Sequence, residues 1–166
     1  MKLLTMIYAQ PTSQERINIR YTIARLEPLK ILLSAARIKM EQIALETNDK
    51  GLKMNILNFV SETGPCQEQI NSYIESCMKL FPLTDISPVH KNEQDAYQTT
   101  CPFECAKNYE KKIVKAFRVI INDYKVINEI RQSMRTQLNE VLYAFMKIKM
   151  LRSFSIKELR IENNLF

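Results

Sequence analysis

Four cysteines, Cys66, Cys77, Cys101 and Cys105, are the residues of this 166-residue chain with the most obvious chemistry, and they fall within one stretch of forty residues. An even count, beside a signal-like beginning, reads as two disulfides formed in an oxidising compartment. Four cysteines allow three connectivities. Cys66 and Cys77 are eleven residues apart, about 16 Å along a helix, whereas disulfide-linked Cα atoms lie within roughly 7 Å. Cys101 and Cys105 are four apart, about 6 Å. Two straight helices cannot close both pairs. The expected bond joins Cys77, at the end of one helix, to Cys101 or Cys105, which open the next. The same four residues also suit reduced thiols, because free cysteine is among the most buried residue types. Zinc fits poorly: there is no C-x2-C pair, and the single histidine, His90, stands in a proline-flanked polar stretch.

Beyond the cysteines, catalytic chemistry has little to work with. A Ser/His or Cys/His nucleophile would need His90, whose surroundings read as solvated loop. No H-E-x-x-H, G-x-S-x-G, P-loop or EF-hand spacing occurs, and neither do the Glu-x-x-His pairs of di-iron bundles. The sequence therefore reads as a non-enzyme without cofactor or metal. Its remaining chemistry is charge. The net charge is +6. Residues 1–100 hold 11 Lys+Arg and 11 Asp+Glu, while residues 101–166 hold 13 and 7. The whole excess sits at the C-terminal end, where it either steers an acidic partner or simply solvates a helix face.

The elements that carry these residues are helices. Only two glycines are present, Gly51 and Gly64, too few for the tight turns of a β-sandwich or a Rossmann unit. Apolar content of 46% and charged content of 25% are globular values. The expected class is all-α: one domain over 1–166, a helical bundle with a long crossover at 82–100 and a long amphipathic segment at 101–166. Thr12 and Glu15 have capping-box spacing, although Ile17, Ile19, Tyr21 and Ile23 alternate like a strand. Pro28 either kinks that helix or opens a new one. Leu29, Leu32, Leu33, Ala36, Met40, Ile43 and Ala44 form a helical stripe, and Leu52, Ile56, Phe59 and Val60 another. The run Ser61-Glu62-Thr63-Gly64-Pro65 reads as a stop. Cys66, Ile70, Tyr73, Ile74, Cys77, Leu80 and Phe81 share one face of the helix that follows.

Thr100 is a candidate cap for the last segment, with Pro102 in its first turn. Tyr109, Ile113, Ala116, Ile120, Tyr124, Ile127, Ile130, Met134, Leu138, Val141, Phe145 and Ile148 then recur in steps of three and four. About eleven turns of helix are too long for one side of a small globule, so a break is expected near Asn122-Asp123 or Asn128, or else a projecting helix that finds a partner. Ser155 and Glu158 suggest a short terminal helix. Residues 1–9 read either as the tail of a secretory signal peptide or as a first turn of helix. No run is long enough to be a transmembrane helix.

Thr100-Cys101-Pro102-Phe103-Glu104-Cys105, followed by Tyr109-Glu110-Lys111-Lys112 and Phe117, resembles the start of the last helix in the interleukin-15 and interleukin-21 group of short-chain helical cytokines. Three residues separate the two cysteines here, where that group has two. The resemblance implies a four-helix bundle whose last helix engages receptor chains and is tied to earlier elements by disulfides.

Together these readings give an expected function: a secreted, disulfide-containing helical bundle that acts as a cytokine-like receptor ligand. Lys111, Lys112, Lys115 and Arg118 would contact the protein partner, since they fall off the apolar stripe. The alternatives are a cytoplasmic interaction module that pairs or oligomerises through its C-terminal helix, and a helical carrier of an apolar ligand. Nucleic acid is not an expected partner, because the basic residues are not interleaved with aromatics as in known modules.

Overall fold

The first helix begins where the capping-box spacing places it. Thr12 Oγ1 accepts the Glu15 N–H at 3.3 Å, and Glu15 Oε2 accepts the Thr12 N–H at 2.7 Å. In the computed structural model, which describes residues 11–80 and 101–163 with side chains as far as Ser153, this opens α1, Ser13–Glu46. Pro28 lies inside α1 and neither ends it nor starts another. Both Pro28 and Ala24, whose carbonyl loses its donor to the proline, are exposed, so water can take the vacant acceptor. The strand-like alternation also resolves into helix. Ile19 and Ile23 are buried, while Ile17 points outward.

Asp49 opens the second helix, α2, Lys50–Leu80, its Oδ1 accepting the Leu52 N–H at 3.0 Å. The stop expected at Ser61–Pro65 does not occur, and α2 passes straight through it. The reason is tertiary. Gly64 is buried, and a Cβ there would meet Arg37 Nη2 at 3.3 Å. Over that bare backbone Arg37 donates from Nε to the Val60 carbonyl at 3.2 Å and from Nη1 to Gln67 Oε1 at 2.6 Å. The Thr63 hydroxyl donates to the Phe59 carbonyl at 2.8 Å. The carbonyl that loses its donor to Pro65 is that of Ser61, which is exposed and open to water, while Arg37 ties α1 to α2 across Gly64.

The basic segment does break, at one of the expected places. It forms α3, Pro102–Asn122, and α4, Asn128–Asn163. Asp123 builds the turn between them, accepting the Lys125 N–H on Oδ1 at 3.0 Å and the Val126 N–H on its carbonyl at 3.1 Å. The separate terminal helix expected at Ser155 is absent, because α4 runs through that position unbroken. A capping residue with no helix breaker beside it does not end a helix.

Four antiparallel contacts arrange the helices around a square. Arg37 of α1 meets Val60 and Gln67 of α2, and Arg25 of α1 meets Asp123 at the end of α3. Phe59 of α2 packs on Phe145 of α4 with ring centroids 4.7 Å apart. Lys149 of α4 pairs with Glu110 of α3 at 2.6 Å. The core inside the square contains Leu26, Leu33, Met40, Ile70, Phe117 and Met134, all fully buried. α1 therefore runs up, α2 and α3 run down, and α4 runs up. The end of α2 and the start of α3 lie at opposite ends of the bundle. The 82–100 connection, His90, Thr100 and residues 1–9 lie outside the described residues. No strand occurs among the described residues, and no helix there is long and apolar enough to cross a membrane. The fold is an all-α helical bundle.

Candidate protein-binding site

α3 buries Cys105, Ala106, Ile113, Phe117 and Ile120 on one face, and its basic residues occupy the rest of its circumference. The bundle divides the four expected contact residues into two pairs. Lys112 and Lys115 line a groove of about 390 Å³ between α1 and α3. Ala24, Pro28 and Leu32 of α1 and Ala116 and Val119 of α3 line it, and Arg25 is the third cation. Lys111 and Arg118 are exposed one step further round α3 and do not line this groove. Small side chains at Ala24, Pro28 and Ala116 keep the cleft open. The arrangement suits an apolar ridge flanked by acidic groups. The α1 wall was missed in the sequence because Leu32 reads there as part of the core stripe and Pro28 as a kink or a helix start, while Ala24 carries no signal of its own.

The lower end of this face is fixed by the turn after α3. Arg25 Nε donates to Asp123 Oδ2 at 3.1 Å. Partial desolvation works to raise the Asp123 pKa, but the Lys125 N–H, the Arg25 hydrogen bond and both positive charges outweigh it, holding the carboxyl below its ordinary value. Lys125 Nζ lies 3.1 Å from the Tyr21 hydroxyl oxygen. Thr22 Oγ1, buried in the same cluster, accepts the Ile127 N–H at 3.1 Å. These contacts set the register between α1 and α3, and hence which residues face across the groove.

The cysteines do not form the expected disulfides. All four are thiols: Cys66, Cys77 and Cys105 are buried, and Cys101 is exposed. The expected bond from Cys77 to Cys101 or Cys105 is excluded by the connectivity. Cys105 lies one turn into α3 at the top of the bundle, level with Arg152, which bonds the adjacent Glu104. Cys77 lies in the last turn of α2 at the bottom. A bundle of this length separates the two ends by about 30 Å. Burial pushes the Cys66 thiol up to about 12, with the Glu140 carboxylate adding to the effect, and burial pushes Cys77 up to about 11. Burial also raises Cys105, although nearby Lys39 works against it. Such thiols are poor nucleophiles and poor metal ligands. Among the described residues, no group of three or more His, Cys, Asp or Glu is placed to share a metal ion.

The long C-terminal stripe, expected either to break or to project toward a partner helix, breaks after Asn122 and packs inside the molecule. Ile130, Met134, Val141, Phe145 and Ile148 are all buried in the bundle core. In comparisons with known proteins, no family model, no characterised protein and no solved structure matches the chain.

Proposed function

We propose that this chain is a helical-bundle binding protein that takes an acidic, amphipathic protein segment on its α1/α3 face. The observation that carries this reading is the groove itself, lined by Ala24, Pro28, Leu32, Ala116 and Val119 together with Arg25, Lys112 and Lys115. The apolar lining would supply affinity and the positive charge would speed encounter.

Titrating the labelled protein with a panel of acidic amphipathic helical peptides tests it. Binding should shift the amide signals of Ala24, Leu32, Ala116 and Val119. Lys112→Glu with Lys115→Glu should slow association by about tenfold and flatten its salt dependence. Lys111→Glu with Arg118→Glu should do less, since neither lines the groove. Shifts confined to other faces, or equal effects from the two double variants, would remove the assignment.

The secreted, cytokine-like version of this reading and the intracellular one divide on the cysteines. Three buried thiols without a bonding partner support an interaction module kept in a reducing compartment. The receptor-ligand version rests on the resemblance around Cys101–Phe117, and it would need those thiols oxidised.

A further inference from the structure

A proline inside a helix frees a carbonyl, and in α1 that carbonyl stands in the groove. Pro28 has no N–H, so the Ala24 carbonyl, four residues earlier, has no helical donor. In a helix a carbonyl points toward the C-terminus and lies between its own residue and the one four positions on. Ala24, Pro28 and Leu32 follow one another at that step, share one face of α1 and all line the groove. The strip of backbone between Ala24 and Pro28 is therefore part of the lining, and both residues are exposed. Across the cleft stand Ala116 and Val119, whose side chains have no donor.

Pro65 frees a second carbonyl, that of exposed Ser61, but no residue of α2 lines the groove. Position decides what each acceptor can do. At Ser61 water satisfies it. The Ala24 carbonyl lies where a bound segment would sit, and a purely apolar ridge would strip water from it and offer no bond in exchange. That loss offsets the apolar gain. A segment seated there binds best when it carries a donor at the point where it covers Ala24.

We propose that the Ala24 carbonyl is a specificity-determining acceptor of the α1/α3 groove, and that the partner segment presents the indole N–H of a tryptophan to it. This role rests on the binding reading above and narrows its partner. Tryptophan meets both demands of the site, with a large apolar body for the lining and one uncharged donor without an acceptor. Lysine and arginine donors would meet the positive charge of Arg25, Lys112 and Lys115. Serine and asparagine bring little apolar surface. A tyrosine hydroxyl also accepts, so the lysine ammonium groups would compete for it. Small side chains at Ala24, Pro28 and Ala116 leave room for the indole in a cleft of about 390 Å³.

Two alanine-based helical peptides test this, each with glutamates one turn before and after a central position. One carries tryptophan there. Its twin carries 3-benzothienylalanine, the same shape with sulfur in place of the N–H. The wild type should bind the tryptophan peptide about tenfold more tightly than the twin. The carbonyl carbon signal of Ala24 should move downfield with the tryptophan peptide only. Pro28→Ala favours helix and gives the Ala24 carbonyl its donor, so this variant should bind the two peptides alike. Any effect of the lost ring on groove shape falls on both peptides and cancels in the ratio. Pro65→Ala, which makes the same change for Ser61 on α2, should keep the wild-type preference. When both peptides shift the amide signals of Ala116 and Val119, equal affinities in the wild type overturn the assignment and leave the groove standing. So does a preference that survives Pro28→Ala. If neither peptide moves those signals, the groove itself has failed as a binding site and the acceptor role falls with it.

Discussion

Thr22 Oγ1 accepts the backbone N–H of Ile127 at 3.1 Å while donating to the Asn18 carbonyl at 2.8 Å, joining residues 105 positions apart in sequence. Both residues are buried. One hydroxyl thus satisfies the backbone group at the entrance to α4 from inside α1, and it does so at the level where Arg25 meets Asp123. The turn between α3 and α4 is pinned to α1, and the α1/α3 groove inherits its register from that pin.

Replacing Thr22 by Val keeps the shape and removes the acceptor. The Ile127 N–H would then be buried without a partner, which costs about 1–3 kcal/mol. Urea denaturation should show a lower midpoint with an unchanged slope, and Thr22→Ser, which keeps the hydroxyl, should recover most of the difference.

Asp123 should make the fold sensitive to acid. Its folded pKa lies below the ordinary value, so the native state binds fewer protons than the unfolded chain in that range. The contribution is fully present above the unfolded carboxyl value near 3.9 and is lost as pH falls through the lower folded value. Asp123→Asn should cost about 1–2 kcal/mol at neutral pH, from the loss of charge-assisted hydrogen bonds, and flatten the acid limb of a stability-versus-pH curve.

The buried thiols should act at the other end of the scale. Cys66 at about 12 and Cys77 at about 11 stay protonated in the folded chain after the unfolded ones have ionised at their ordinary value of 9.0. Their contribution is complete below the unfolded value and declines as pH rises toward the folded ones. Native alkylation at neutral pH should label Cys101 quickly and the other three only after denaturation, for a total of four thiols. A total of zero would return the secreted, disulfide-bonded reading.

Arg37 ties α1 to α2 beside Gly64-Pro65. Arg37→Leu removes the donors to Val60 and Gln67 and should destabilise the fold by about 1–2 kcal/mol. The damage should be local: amide hydrogen exchange should accelerate around Thr63–Gln67 more than at Ile70–Cys77.

The extent to which each helix was legible depended on how many of its faces are used. In α2 and in the α3–α4 segment one apolar face meets the core, and period alone identifies Ile56, Phe59, Ile70, Ile113, Ile120, Phe145 and Ile148 as interior. In α1 two faces are apolar, so Ile17 and Tyr21 interleave with Ile19 and Ile23 and imitate a strand. The seven-residue recurrence of Ile17, Ala24, Ile31, Ile38 and Leu45 was present in the chain, but only burial separates it from the core stripe.

By itself, then, the sequence determined the helices, the cap at Thr12, the break after Asn122 and the basic bias of the C-terminal segment, because spacing and local hydrogen bonding are properties of near neighbours along the chain. Connectivity in space decided the rest. Arg37 of α1 packs over Gly64 and ties the two helices where the local sequence reads as a stop, and the shared direction of α2 and α3 sets Cys77 and Cys105 at opposite ends of the bundle. The same packing places Lys112 and Lys115 beside a groove and leaves Lys111 and Arg118 outside it. Each of these depends on residues brought together from distant parts of the chain, and pairwise distance in the folded state is not encoded in any local pattern.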